Sequence, residues 1–163
     1  MKDNVTADDI FDKFSNYGVS ERDINQAIDV YVAQGGDINT PDDSGGTFLH
    51  QAVDHNCVDV LEHLLSLENI DVNTQAVGGN TPLHYAVTKG DSEIVTKLLY
   101  HPNLDTNITN DNKKTAFAVA FDNKNGEIIK LFKKHYSNVD NQSIKVGYLP
   151  PIPEEHGPDS PGR

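Results

Sequence analysis

An all-α solenoid of stacked helical pairs is the fold class this sequence predicts, and three observations predict it. Thr47-Phe48-Leu49-His50-Gln51-Ala52 recurs 34 residues later as Thr81-Pro82-Leu83-His84-Tyr85-Ala86, and more weakly after a further 34 as Thr115-Ala116-Phe117-Ala118-Val119-Ala120. Asp37-Ile38-Asn39, Asp71-Val72-Asn73 and Asp105-Thr106-Asn107 march at the same step. Between these markers the apolar residues fall at helical spacing, in two stretches per period. Self-similarity at a fixed period of this kind marks small units that bury their apolar faces only by stacking on one another.

The elements follow in chain order. Thr6-Ala7-Asp8-Asp9 precedes Ile10, Phe11, Phe14 and Tyr17, which predicts a capped amphipathic helix. Ser20-Glu21-Arg22-Asp23 opens a second helix through Ile24, Ala27, Ile28 and Tyr31, closed by Gly35-Gly36. The first helix of each later pair carries Leu49, Ala52 and Val53, then Leu83, Ala86 and Val87, then Phe117, Ala120 and Phe121. Thr81 is a natural N-cap, and Pro82 stands at the first helical position, where its missing N–H costs nothing. The second helices carry Val60, Leu61, Leu64 and Leu65, then Ile94, Val95, Leu98 and Leu99, then Ile128, Ile129 and Phe132. Such stripes are too wide to leave one side in water, so stacked neighbours must cover them. Gly90 fits the turn between paired helices, and Asn56 tolerates the same left-handed conformation. Pro102 stops the second helix of its unit. Lys130, Lys133 and Lys134 make the last helix polar outward, and Asn138-Val139-Asp140-Asn141 reads as one more Asp-x-Asn turn with no helices after it.

Residues 142–163 are another class of sequence. Five of the eight prolines lie in residues 150–161, alongside Glu154, Glu155 and Asp159, which predicts a mostly disordered, Pro-rich tail. Leu149-Pro150-Pro151-Ile152-Pro153 contains P-x-x-P, but no Arg or Lys flanks it as SH3 ligands usually require. The apolar Ile144, Val146, Tyr148 and Leu149 offer an alternative, a segment that folds back on the last unit.

The T-P-L-H-x-A motif, its spacing and the Asp-x-Asn turns together resemble the ankyrin repeat, whose period is about 33 residues. The resemblance covers roughly residues 20–135. It implies helix-turn-helix units joined by β-hairpin loops: a repeat domain over 1–141, with a degenerate capping repeat at 4–39, repeats at about 40–73, 74–107 and 108–141, and the tail at 142–163. There are departures. Leu65-Ser66-Leu67-Glu68-Asn69-Ile70-Asp71 and Leu99-Tyr100-His101-Pro102-Asn103-Leu104-Asp105 replace a shorter, Gly-containing exit. Lys113 stands where Gly45 and Gly79 serve the earlier hairpins and, with Ala116 and Ala118, predicts a less regular third unit. The resemblance implies that a protein partner is held by the hairpin tips and the inner helix face. Those positions here are Asp43, Ser44, Gly46, Asp54 and His55 in the first repeat. They are Val77, Gly78, Asn80, Tyr85, Thr88 and Lys89 in the second, and Asp111, Asn112, Lys114, Asp122 and Asn123 in the third. It also implies that His50 and His84 hydrogen-bond backbone and tie adjacent turns together. Asn73 and Asn107, each eight residues after a Leu, resemble hairpin Asn substrates of an asparaginyl hydroxylase.

Charge narrows the class of partner. The formal net charge is −12, and residues 23–88 hold ten Asp and Glu and no Lys or Arg. Residues 89–145 hold nine basic and seven acidic side chains. An acidic half repels a phosphate backbone and an anionic membrane surface, so neither nucleic acid nor membrane is expected as partner. A protein with a basic surface is the natural complement, unless the acidity serves only solubility. One Cys excludes an intrachain disulfide and suits a reducing, cytoplasmic setting, and the N-terminus shows no apolar run of the secretory kind.

Chemistry is thinly represented. His55, Cys57 and His63 raise the idea of a metal site or a thiol nucleophile, yet no zinc spacing and no orienting third group accompany them. Neither a metal nor a cofactor is expected. The function predicted is a non-enzymatic interaction module, monomeric on its own, acting as an adaptor or inhibitor. An effector delivered into a host cytosol by an intracellular bacterium or virus is the alternative, and a thiol-dependent enzyme a distant third.

Overall fold

The computed structural model of the chain describes residues 4–140. Eight helices occupy them: α1 (Ala7–Ser15), α2 (Glu21–Ala33), α3 (Phe48–Asp54), α4 (Val58–Leu65), α5 (Pro82–Lys89), α6 (Ser92–Leu99), α7 (Ala116–Asp122) and α8 (Gly126–Asp140). They pair as α1 with α2, α3 with α4, α5 with α6 and α7 with α8. The pairs then stack in two rows, α1 on α3 on α5 on α7 and α2 on α4 on α6 on α8. The Pro-rich tail expected over 142–163, with its P-x-x-P segment, lies outside the described residues.

The local signals act where the sequence puts them. Thr6 and Asp9 form a reciprocal capping box at the start of α1, and Ser20 caps α2 through the Asp23 N–H. Thr81 receives the His84 N–H at the start of α5, with Pro82 at the first helical position. Gly90 ends α5 with φ 77°, and Asn56 takes the same left-handed conformation between α3 and α4 at φ 56°. Lys124 does so between α7 and α8, at φ 54°.

A single apolar core runs between the rows. Leu49, Leu61, Leu83, Ile94, Leu98, Ile128 and Phe132 are fully buried, as are Ile10 and Ile28 of the first pair. Ala52, Ala86 and Ala120 are buried too, and their small side chains let the paired helices approach closely. Phe48 is buried against both Phe11 and Tyr31, with ring centroids 4.5 and 5.9 Å away. Those two contacts bind the first, motif-poor pair to the repeats.

The hairpin loops are short turns, each closed by a bond between its two ends over a tighter i+3 to i turn bond. The donors are Asp42 N–H to Gly46 O (2.8 Å), Ala76 N–H to Asn80 O (2.9 Å) and Asn110 N–H to Lys114 O (3.0 Å). An antiparallel bridge joins Thr109 to Thr115 in the third loop. Lys113 adopts φ 60° there, beside φ 74° for Gly45 and 69° for Gly79, so the third loop keeps the backbone path despite its sequence.

One expectation is corrected. No turn forms at 138–140, because α8 continues to Asp140. By the 34-residue step its counterparts α4 and α6 stop at the place of Lys133. Nothing like Pro102 blocks α8. Tyr136 packs its ring 6.1 Å from Phe117 and 6.2 Å from Phe132, which holds the extra turns down.

Candidate functional site

Three ladders of polar contacts fix how one repeat presents its loops relative to the next. In the first, the Thr47 N–H donates to His50 Nδ1 (3.1 Å), which leaves Nε2–H to donate to Asn80 O of the next hairpin (3.2 Å). His84 repeats the arrangement with the Thr81 N–H (3.3 Å) and Lys114 O (2.9 Å). Burial holds the pKa of both imidazoles below the ordinary histidine value, against the smaller opposing effect of their carbonyl partners. Ala118 ends this ladder in the third repeat.

In the second ladder an asparagine amide clamps the backbone of the following unit. Asn39 donates to Asn69 O (2.8 Å) and accepts from the Asp71 N–H (2.8 Å). Asn73 does the same with Asn103 O (2.8 Å) and the Asp105 N–H (2.9 Å). Asn107 has no following unit to hold among the described residues, and its amide donates to its neighbour Asp105 at 3.2 Å. The third ladder is main chain to main chain: Val77 N–H to Ser44 O (2.9 Å) and Asp111 N–H to Gly78 O (3.0 Å). Gly79 makes that approach feasible, since a Cβ there would lie 2.8 Å from the Asp111 nitrogen.

These ladders set out a continuous surface of loop tips and inner-helix ends. Of the sixteen sequence-predicted contact residues, twelve are exposed and so available to a partner, including His55, Thr88, Asn112 and Asn123. Gly78, Asn80 and Tyr85 are half-buried, and Gly46 is buried. Tyr85 stands edge-on to His50 at 5.3 Å. Asn80 Oδ1 accepts from the Asn110 amide at 2.9 Å, and Thr88 donates its hydroxyl to His84 O at 2.8 Å. Asp43, Val77 and Asp111 occupy the same register position in successive loops. Val77 is 71% exposed. Neither Asp43 nor Asp111 finds an ion-pair partner among the described residues.

Most of the acidity has a local use that the charge count does not reveal. Among the described residues, seven of the ten carboxylates in 23–88 are engaged and only Asp43, Asp59 and Glu68 are not. Asp42 closes its loop on the Ser44 N–H (2.8 Å) and Gly46 N–H (2.9 Å), and accepts from the Gln51 amide (2.8 Å). Burial works to raise its pKa, but the Ser44 hydroxyl, which donates to it at 2.6 Å, together with these bonds keeps it below the ordinary carboxylate value. Asp54 pairs with Lys89 at 3.0 Å, Asp122 with Lys114 at 2.6 Å, and Glu62 with Lys97, so cations of one repeat answer anions of another or of their own. Glu21 caps α4 from a distance, accepting from the Asp59 (2.8 Å) and Val60 (3.2 Å) N–H groups. Thirty-eight residues separate Glu21 from Asp59, so no local pattern announces the contact.

The chemistry candidates do not converge. His63 pairs with Asp29 at 2.8 Å, while His55 lies beside the Phe14 ring at 6.1 Å. Cys57 is half-buried, and burial, with the Glu21 carboxylate nearby, pushes its thiol pKa up, away from a reactive thiolate. No group of three or more His, Cys, Asp or Glu side chains among the described residues is placed to hold a metal. No helix among them is long and apolar enough to cross a membrane.

The ankyrin-repeat family, described as ankyrin repeats in three copies, matches residues 17–110. The chain belongs to the ankyrin-repeat family. A search of curated proteins finds no match. The matched region runs from before α2 to the third hairpin, and α7 and α8 continue the ankyrin stack beyond it by the same packing of α7 on α5 and α8 on α6. Ankyrin repeats bind protein partners, which gives this chain its general role as an interaction module; as a family they are typically non-enzymatic.

Proposed function

We propose that this ankyrin domain is an adaptor or inhibitor that occupies the surface of a protein partner through its loop tips and inner helix face. The observation that carries the proposal is the row formed by Asp43, Val77 and Asp111. It places a largely bare valine between two carboxylates that no cation of the described residues answers. A partner segment with an apolar side chain flanked by basic ones complements that row. The ladders hold the loops in place before binding, so little conformational entropy is lost on association. Asp54 and Asp122 sit in the same surface but already carry Lys89 and Lys114, so the attraction for a basic partner rests on the tips.

Affinity capture with the wild-type chain and with Val77→Asp tests the proposal. The variant adds a charge at an exposed position and leaves the core intact, so folding should be unchanged by circular dichroism. A stoichiometric partner retained by wild type and lost by Val77→Asp is the expected result. Equal recovery by both would place the contact elsewhere. Glu68→Lys, an exposed change outside the proposed contact surface, is the control and should capture as wild type does.

A further inference from the structure

Among the described residues, the last repeat ends in an uncovered strip. Phe121 and Ile129 stand, by the 34-residue step, where Val53 and Val87, and Leu61 and Val95, lie fully buried under the next unit. Phe121 and Ile129 are only half-buried, because no described repeat follows. Beside them Lys130, Lys133 and Lys134 are exposed on α8 and have no carboxylate partner among the described residues. The cations Lys89, Lys97 and Lys114 are, by contrast, all paired. The end of the stack is thus an apolar strip edged with three positive charges that no described carboxylate answers.

The 23 residues after Asp140 carry the complementary chemistry, apolar and acidic. Ile144, Val146, Tyr148 and Leu149 come first, then Glu154, Glu155 and Asp159. We propose that residues 144–149 fold back over Phe121 and Ile129 as the cover of the last repeat, with the acidic stretch that follows drawn to the lysines of α8. The tether permits it. Ile129 lies eleven residues before the end of α8, about 16 Å back along the helix at 1.5 Å per residue. Tyr148 follows Asp140 by eight residues, which reach about 26–29 Å when extended. Attachment to α8 also gives this segment a high effective concentration over any free competitor.

Amide hydrogen exchange and chemical shifts, recorded on the full chain, on a chain ending at residue 141 and on full-length Tyr148→Ser/Leu149→Ser, test the proposal. Both variants alter only residues beyond the described repeats, so the stack itself should persist, with α3 to α6 unchanged. The expected result is that amides around Phe121 and residues 129–134 exchange about tenfold faster in both variants and shift together. Glu154→Lys/Glu155→Lys should give a smaller change at the same amides, and one that fades in high salt. Superimposable shifts and exchange in the full chain and both variants would overturn the proposal. So would a full-length chain that sediments as a dimer and becomes a monomer in the tail variants, since the cover would then come from a second copy.

Discussion

Asn73 and Asn107 occupy the same place in successive repeats, yet among the described residues only Asn73 of the two has a following unit to hold. Its amide makes two bonds to the next turn, at 2.8 and 2.9 Å, whereas the Asn107 amide, among the described residues, bonds Asp105 alone. Asn73→Ala should therefore cost about 1–2 kcal/mol, and Asn107→Ala less than about 0.5 kcal/mol, in urea denaturation. Lys113 and Lys124 sit at φ 60° and 54°, a region that disfavours a Cβ. Replacing either with Gly should raise stability by about 0.5–1 kcal/mol, while Gly79→Ala, with its Cβ against the Asp111 backbone, should lower it. His50 and His84, together with the partly buried His135, shape the acid response. Burial lowers their folded pKa, so below the unfolded value of about 6.5 the unfolded chain binds more protons than the folded one. Their contribution is complete above that pH and is lost as pH falls through the window between the two values. Denaturation midpoints measured from pH 7.5 down to about 5 should fall, and His50→Gln/His84→Gln should flatten the slope.

Helices and their starts were legible because their signals are local. Thr6, Ser20 and Thr81 cap where the pattern places them, and the stripes of α4 and α6 are buried apart from half-buried Leu65. The end of α8 was not legible, since an Asp-x-Asn pattern carries no information about whether a tyrosine downstream of the stripe will pack on Phe117 and Phe132. Tyr136→Ala should fray the last turns of α8. Amide exchange over residues 133–138 should rise sharply while α3 to α6 keep their protection, and unchanged exchange there would mean that something other than Tyr136 holds the extension. The α4 N-terminus teaches the same lesson. Cys57 precedes it with no capping bond of its own, and the acceptor arrives from Glu21 in a different unit.

On the scale of the whole molecule, the repeat period determined the stack and the core, because every unit buries its face on the next. Leu83→Ala, at a fully enclosed position between α3 and α7, should cost about 2–5 kcal/mol and lower the midpoint of one shared transition seen by every probe. The candidate surface was legible only as a set of positions. Sequence located the loop tips, but the net charge of −12 gave no hint that Asp42, Asp54 and Glu62 are answered within the fold. The contact surface we propose is narrower than the acidic half as a whole, and it centres on Asp43, Val77 and Asp111. Association kinetics with the captured partner tests that claim most directly, comparing wild type with Asp43→Lys/Asp111→Lys at low and high salt. Charge-steered association predicts a wild-type on-rate that falls as salt rises, and a double variant that binds markedly more slowly at low salt while remaining folded. A wild-type rate indifferent to salt, or a double variant that associates as fast as wild type, would contradict it.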